Sequence, residues 1–236
     1  MMLSGATPIR VALVGMGRMG KAIDALAADR HCEIVARLGR AETTNGITSS
    51  TLNGAQVAIE FSQPETAVPN AIACLRAKSP VVVGTTGWSK HQHELEEAVI
   101  HEQVAALWAP NFSLGVQLFL AVAEDAARRF SNSTGFDAHV IETHHAAKKD
   151  APSGTAIAIH EQLSAGGCTD VPITSIRVGS VPGTHEIVFD APFEQVRISH
   201  EARDRRVFAD GALVAARWLA QKTTPGLYTM RDVISS

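Results

Sequence analysis

From Ile9 to Val14 the chain reads IRVALV, a short β-branched apolar run that stops at Gly15. A run of this length without polar alternation predicts a strand buried on both faces, as in a parallel sheet. Between Arg18 and Asp29 the apolar positions Met19, Ile23, Leu26 and Ala27 recur at helical spacing. The alternation then repeats. Glu33–Leu38 predicts a second strand, Val57–Phe61 a third, Val81–Gly84 a fourth and Val104–Trp108 a fifth. Helices are predicted from Pro64, a residue suited to the first helical position, to about Lys78, and from Ser89 to Glu102. Residues 39–55, rich in Thr, Ser, Asn and Gly, read as a loop. Val/Ile-rich strands joined by crossovers of roughly a dozen residues are the pattern of a doubly wound α/β sheet.

Beyond Asn111 the period changes. Gly115–Phe130 predicts a long amphipathic helix, followed by strand-like segments at Phe136–Glu142, Ile173–Val178, His185–Asp190 and Gln195–Ser199. Short Gly/Pro turns join the last three, which predicts an antiparallel or mixed sheet. Asp210–Gln221 (DGALVAARWLAQ) is helical again. The expected organisation is a first domain over 1–113 and a second, α+β domain on an open mixed sheet over 114–202, with 203–236 packing back on the first.

Composition narrows the partners. The 236 residues, 45% of them hydrophobic, can bury a substantial core in one large domain or two small ones. A net charge of −3 without any run of five like charges argues against nucleic acid or an anionic membrane as partner, so an anion site has to be a local cluster. Cys32, Cys74 and Cys168 form no C-x-x-C pair and no framework, the usage of free thiols in a reducing compartment. The opening MMLSGATPIR lacks the apolar stretch of a secretory signal, and no apolar segment reaches the roughly 18–20 residues that span a bilayer. A cytoplasmic protein is expected.

Gly15-Met16-Gly17-Arg18-Met19-Gly20 matches G-x-G-x-x-G at the first strand–helix junction. Glycine is needed there to close a tight turn and to let the backbone approach a pyrophosphate, whose charge then rests on the helix N-terminus. The bare motif is weak, since 18 of 236 residues are glycine, but its placement makes it a dinucleotide signal. The first domain is therefore expected to be a Rossmann-type doubly wound parallel sheet that binds NADPH or NADH. An NAD site usually carries an acid at the end of the second strand. Here that strand ends Ala36-Arg37-Leu38-Gly39-Arg40. Arg37 or Arg40 is placed to meet the 2′-phosphate of NADPH, and ordinary surface arginines read equally well.

Ligands of open α/β sheets bind at the carboxyl ends of the strands. The fourth strand runs into Gly84-Thr85-Thr86-Gly87-Trp88 and the fifth into Ala109-Pro110-Asn111-Phe112-Ser113, both rich in small residues, amides and hydroxyls. They are candidate nicotinamide-side contacts. The densest reactive cluster is Glu142–Ala156, ETHHAAKKDAPSGTA. Ser153-Gly154-Thr155 opens a helix and offers an anion seat, Lys148 adds a point charge, and the His144 imidazole titrates near neutrality and can deliver a proton. Adjacent histidines point in different directions and no third ligand is spaced for zinc, so no metal is expected.

These segments carry a resemblance. The chain resembles the 4-hydroxy-tetrahydrodipicolinate reductase (dihydrodipicolinate reductase) family nearly end to end: VGMGRMGKAI at 14–23, EFSQPETA at 60–67, VVVGTTGW at 81–88, APNFSLGVQLF at 109–119, IETHHAAKKDAPSGTA at 141–156, RVGSVPGTHEIVF at 177–189, FADGALVAARWL at 208–219 and GLYTMRDVI at 226–234. The resemblance implies a reductase of diaminopimelate and lysine biosynthesis, which passes a hydride from NADPH or NADH to a cyclic dicarboxylate. By the same resemblance His144 is the proton donor/acceptor and Lys148 a second proton donor, while His145, Gly154 and Thr155 contact substrate. Gly15–Gly20, Gly84–Thr86 and Ala109–Phe112 then hold the nucleotide, and the second domain's sheet joins four copies into a homotetramer.

Three features set this chain apart from many members: one residue fewer in the glycine-rich turn, no acid after the second strand, and a short stretch between Gln162 and Ile173. Two other readings stand beside the resemblance, a dinucleotide sensor of the same fold without turnover, and a reductase of another cyclic imine dicarboxylate.

Overall fold

The computed structural model describes residues 7–133 and 135–235; residues 1–6, 134 and 236, and with them the first six residues of the opening segment, lie outside the described residues. The chain forms two compact units, one of residues 1–113 with 206–236 and one of residues 114–205. Among the described residues no helix is long and apolar enough to cross a membrane.

The first unit contains β1 (Ile9–Val14), α1 (Arg18–Leu26), β2 (Cys32–Leu38), α2 (Arg40–Thr44), β3 (Val57–Glu60), α3 (Pro64–Arg76), β4 (Val81–Val83), α4 (Gln92–Glu102) and β5 (Ala106–Trp108). The second contributes α5 (Leu114–Phe130), β6 (Asp137–His144), α6 (Gly154–Ala165), β7 (Ile173–Arg177), β8 (Thr184–Ala191) and β9 (Glu194–Glu201). The chain then returns to the first unit with α7 (Arg206–Leu219), β10 (Leu227–Tyr228) and α8 (Met230–Ile234).

The first unit is the doubly wound sheet that the sequence predicts. Its six parallel strands follow the order β10-β5-β4-β3-β1-β2. Burial on both faces explains why β1, β3 and β4 are apolar without alternation: Ala12, Val14, Ala58, Val81 and Val83 pack with Val68, Ala71 and Leu75 of α3 and Leu95 of α4. The alternate residues, Val11, Leu13, Val57 and Ile59, are equally buried and point the other way, where α1 and α7 lie. α7 presents Ala209, Gly211, Ala212, Ala215 and Ala216, small residues that let a helix approach closely. A Cβ on Gly211 would overlap the carbonyl of Phe112.

In the second unit the sheet runs β7-β6-β8-β9, with β7 parallel to β6 and the other pairs antiparallel. It is the mixed sheet expected. Period-two alternation sends Val140, Ile187, Phe189, Val196 and Ile198 to the face covered by Phe119 and Ala123 of α5 and Ile159 and Leu163 of α6. Phe130 stacks on Phe189 at 4.1 Å between ring centroids.

Four local expectations change. Residues 39–55 are not all loop: α2 forms at 40–44, its start closed by the Glu42 carboxylate, which accepts from Gly39 N–H at 2.8 Å. The Ser89–Glu102 helix opens as a 3-10 turn, Ser89–His91, before α4 begins. The last long helix starts at Arg206 rather than Asp210 and ends at Leu219. Strand β6 runs on to His144, past the predicted end at Glu142, because Thr143 and His144 still pair with Thr184 and Arg177. Polar residues at inward positions masked that continuation.

Candidate active site

At the carboxyl edge of the first sheet the glycine-rich turn is built by two close approaches. Gly15 adopts φ +98° and a Cβ on it would overlap the Phe61 carbonyl; one on Gly20 would overlap the carbonyl of Gly15. Gly17 differs, because a Cβ there would meet no atom within 4 Å. Two glycines thus close the turn and the third leaves open space at the start of α1. That helix has no acidic residue in its first turn and no side-chain cap, so its first N–H groups suit a phosphate. The residues present therefore fit a dinucleotide.

The neighbouring loops are tied together behind this turn. Gly84 exists against the Phe61 ring, which a Cβ would overlap, and the Phe61 and Phe112 rings lie 5.8 Å apart. Ser62 N–H donates to Thr85 Oγ1 at 2.8 Å, and the Trp88 indole donates to the Thr85 carbonyl at 2.6 Å. Asn111 Oδ1 accepts from Ser113 N–H at 2.9 Å. Ala109 and Phe112 are buried, whereas Thr86 and Pro110 are exposed. Glu60, at the end of β3, is fully buried and accepts from the Ser62 hydroxyl; burial pushes its carboxyl above the usual range, against the pull of bonds from Ser62, Thr85 and Asn70.

In the second unit the inward face of the sheet turns polar at one end. Cross-strand pairing aligns Ser175, Glu142, His185 and His200 in one row, with Arg177 opposite His144 in the next. Glu142 is fully buried. Its Oε2 accepts from His144 Nδ1, and its Oε1 accepts from Arg177 Nη2 at 2.6 Å and from Ser153 N–H at 3.3 Å. Ser153 caps α6, its hydroxyl accepting from Ala156 N–H at 3.2 Å and lying 3.2 Å from His185 Nε2. Arg177 also donates to the Asp150 carbonyl at 2.6 Å, pinning the loop before α6. The Lys148 ammonium lies 2.9 Å from Asp150, and Arg205 donates to His145 Nε2 at 3.3 Å.

Charge in this cluster follows from burial and pairing. Burial raises the Glu142 carboxyl, but hydrogen bonds from Arg177, Ser175 and His144 outweigh it and hold the group at about 2. Burial lowers His144; Glu142 pulls it back up, while Lys148 and Arg177 oppose that pull. Burial, with the neighbouring His144, takes His185 down to about 4. Burial and pairing thus favour the neutral imidazoles and the ionised Glu142 carboxylate.

Ligand-type atoms of Glu142, His144 and His185 lie within 4.8 Å of one another. Spacing along the chain does not reveal this trio, since His185 comes from another strand. Glu142 already binds Arg177 and His144, so a cation entering here would have to displace a guanidinium charge.

Comparison with known proteins places the chain in a family. The family model "Dihydrodipicolinate reductase, N-terminus" matches residues 9–112, and "Dihydrodipicolinate reductase, C-terminus" matches residues 115–234. The chain belongs to the dihydrodipicolinate reductase family. It is 35% identical to the 4-hydroxy-tetrahydrodipicolinate reductase of Christiangramia forsetii, over 96% of this chain and 98% of the relative. It is 39% identical to the enzyme of that name from Stenotrophomonas maltophilia, over 97% and 98%. The solved dipicolinate-bound dihydrodipicolinate reductase from Paenisporosarcina sp. TG-14 shares its fold, with TM-score 0.77, 22% identity, and coverage of 94% of this chain and 97% of that one.

Each family segment singled out in the sequence has a definite place. Gly15, Met16, Gly17, Arg18, Met19 and Gly20 form the turn into α1, and Gly84–Thr86 and Ala109–Phe112 leave β4 and β5 at the same sheet edge. His144 ends β6, while Ser153, Gly154 and Thr155 begin α6. The Arg37 guanidinium makes a two-pronged, solvent-exposed pair with Asp24, at 2.8 and 2.7 Å. Arg40 stays exposed at the start of α2. Sequence reading missed Glu142, Arg177, His185 and Glu60. Their signal was a charged or imidazole residue at an inward strand position, visible only once strand register is known.

Proposed function

We propose that this chain is an NAD(P)H-dependent oxidoreductase that reduces 4-hydroxy-tetrahydrodipicolinate to tetrahydrodipicolinate, with loss of water, in diaminopimelate and lysine biosynthesis. The observation that carries the reading is the buried, carboxylate-held His144 beside the capped start of α6, in a chain of this family. A pure dinucleotide sensor needs no such imidazole.

Bound reduced nicotinamide supplies the hydride. The glycine-rich turn and the first N–H groups of α1 hold its pyrophosphate, and Gly84–Thr86 and Ala109–Phe112 line the nicotinamide side. Lys148 exchanges Asp150 for one substrate carboxylate, and the N–H groups of Gly154 and Thr155 with the Ser153 cap receive an anion at the start of α6. His145, with Arg205 beside it, adds a second donor to the dicarboxylate. His144 delivers the proton, its cationic form stabilised by Glu142.

NADPH and NADH are both taken to serve. β2 ends without an acid, and the exposed Arg40, with Arg37 paired to Asp24 nearby in sequence, is the group we assign to a 2′-phosphate. Arg40→Ala should raise KM for NADPH about fivefold and leave KM for NADH unchanged; equal effects on both would remove Arg40 from cofactor choice. We place the protein in the cytoplasm, in keeping with three free cysteines, and read the sheet face of the second unit opposite α5 and α6 as the contact of a homotetramer.

The test is a coupled assay that generates the substrate in place and follows nicotinamide absorbance with each cofactor. Oxidation that depends on the dicarboxylate supports the reading; none with either cofactor overturns it.

A further inference from the structure

We infer that Glu142, clamped by Arg177, is a positioning residue that fixes one proton of His144 at Nδ1 and so commits Nε2 to the proton exchange of the reaction. The inference rests on the function proposed above. Both carboxylate oxygens of Glu142 are occupied from within the protein. Oε2 faces His144 Nδ1, and Oε1 takes Arg177 Nη2 at 2.6 Å and Ser153 N–H at 3.3 Å. An ionised carboxylate only accepts, so the nitrogen facing it must carry hydrogen. The opposite nitrogen, Nε2, lies against Gly183, where a built Cβ would stand 3.0 Å from it. Glycine there keeps a side chain away from the reactive atom. The His185 ring, 5.1 Å away and edge-on, closes another side.

In the cationic ring both nitrogens carry hydrogen, and Glu142 offsets the charge. The Nε2–H bond breaks, the proton passes to the substrate, and the ring is left neutral with its Nδ1 hydrogen in place. Arg177 matters because it neutralises Glu142 in the resting state. A bare buried carboxylate would hold the imidazolium too tightly to release its proton. The other groups that bear on the ring are Lys148 from the loop, Ser153 from α6, Ser175 from β7, His185 from β8 and, behind it, His200 from β9. On α5 the uncharged Phe119 ring lies 6.0 Å from that of His200.

Glu142→Gln makes the test, because Arg177 and Ser153 both donate. The amide oxygen must turn to them, leaving NH2 to face Nδ1, which then has to accept. The neutral ring is thereby forced to carry its hydrogen on Nε2. Nitrogen-15 NMR of the full-length, histidine-labelled protein, with His144 assigned by loss of its signals in His144→Gln, should show Nδ1–H in the wild type and Nε2–H in Glu142→Gln. In the coupled assay kcat should fall about 10–100-fold with KM for the dinucleotide unchanged. The pH profile of kcat/KM should shift lower in Glu142→Gln and higher in Arg177→Met, whereas Glu142→Asp should keep Nδ1–H and recover part of kcat. Loss of packing alone would not shift two profiles in opposite directions.

A wild-type ring protonated at Nε2, or shifts of the same sign in both variants, would overturn the inference. If Glu142→Gln does not fold, the wild-type spectrum, Arg177→Met and Glu142→Asp still decide it. A wild-type protein with the Nδ1–H signature and no turnover would instead refute the proposed function and leave the tautomer assignment standing.

Discussion

On the function proposed above, the two units hold a charged ligand in opposite ways. The first uses backbone. Its turn has glycines at 15, 17 and 20, an uncapped helix start and buried aromatic packing behind, with no ionised side chain in the turn's chemistry beyond Arg18. The second buries ionisable groups outright: Glu142, His185 and His144 are 0%, 4% and 8% exposed. Backbone donors do not change charge with pH and tolerate little bulk. Buried side chains can gain or lose a proton and need compensating partners, here Arg177 and Ser153. The proposed function thus assigns a constant anion to one unit and a charge that changes during turnover to the other.

The sharpest way to separate them is the largest effect. His144→Gln should lower kcat about 10²–10⁴-fold while the dissociation constant for NADPH stays within twofold. Unchanged kcat would take His144 out of the chemistry. Gly17→Val comes next. Since the space beside Gly17 is empty, unfolding stability should move by less than about 0.5 kcal/mol, yet KM for the dinucleotide should rise about a hundredfold. A variant that unfolds but binds normally would mean that Gly17 serves the fold.

A smaller effect probes the charge-changing unit alone. His185 is held neutral down to about 4, whereas an unfolded histidine takes its proton near 6.5. Between those values the unfolded chain binds the extra proton, so stability falls as pH drops through the window, by about 1.4 kcal/mol per pH unit. Denaturant midpoints should show His185→Gln with a flatter slope there. An identical slope would mean that His185 is not the group responsible.

The same contrast explains what could be read from sequence. The first unit's strands and its glycine turn were legible because burial on both faces leaves continuous apolar runs, and a tight turn leaves glycine spacing. The second unit's mixed sheet was legible from short strands and Gly/Pro turns. His144 and Lys148 stood out as a dense reactive segment, but Glu142, two residues upstream, looked like a strand end. Its partners Arg177 and His185 belong to other strands, and only the register of β6 with β7 and β8 brings them together. Arg37 shows the same limit from the other side: its exposed pairing with Asp24 of α1 joins two elements and has no signal in the local sequence.

The division of labour is tested most directly by calorimetric titration of Gly17→Val and Lys148→Ala with NADPH and with dipicolinate, each at saturation of the other ligand. A crossed result is expected. Gly17→Val weakens the dinucleotide and keeps dipicolinate, and Lys148→Ala loses at least about tenfold in dipicolinate affinity and keeps the dinucleotide. Parallel loss of both ligands in both variants would contradict it.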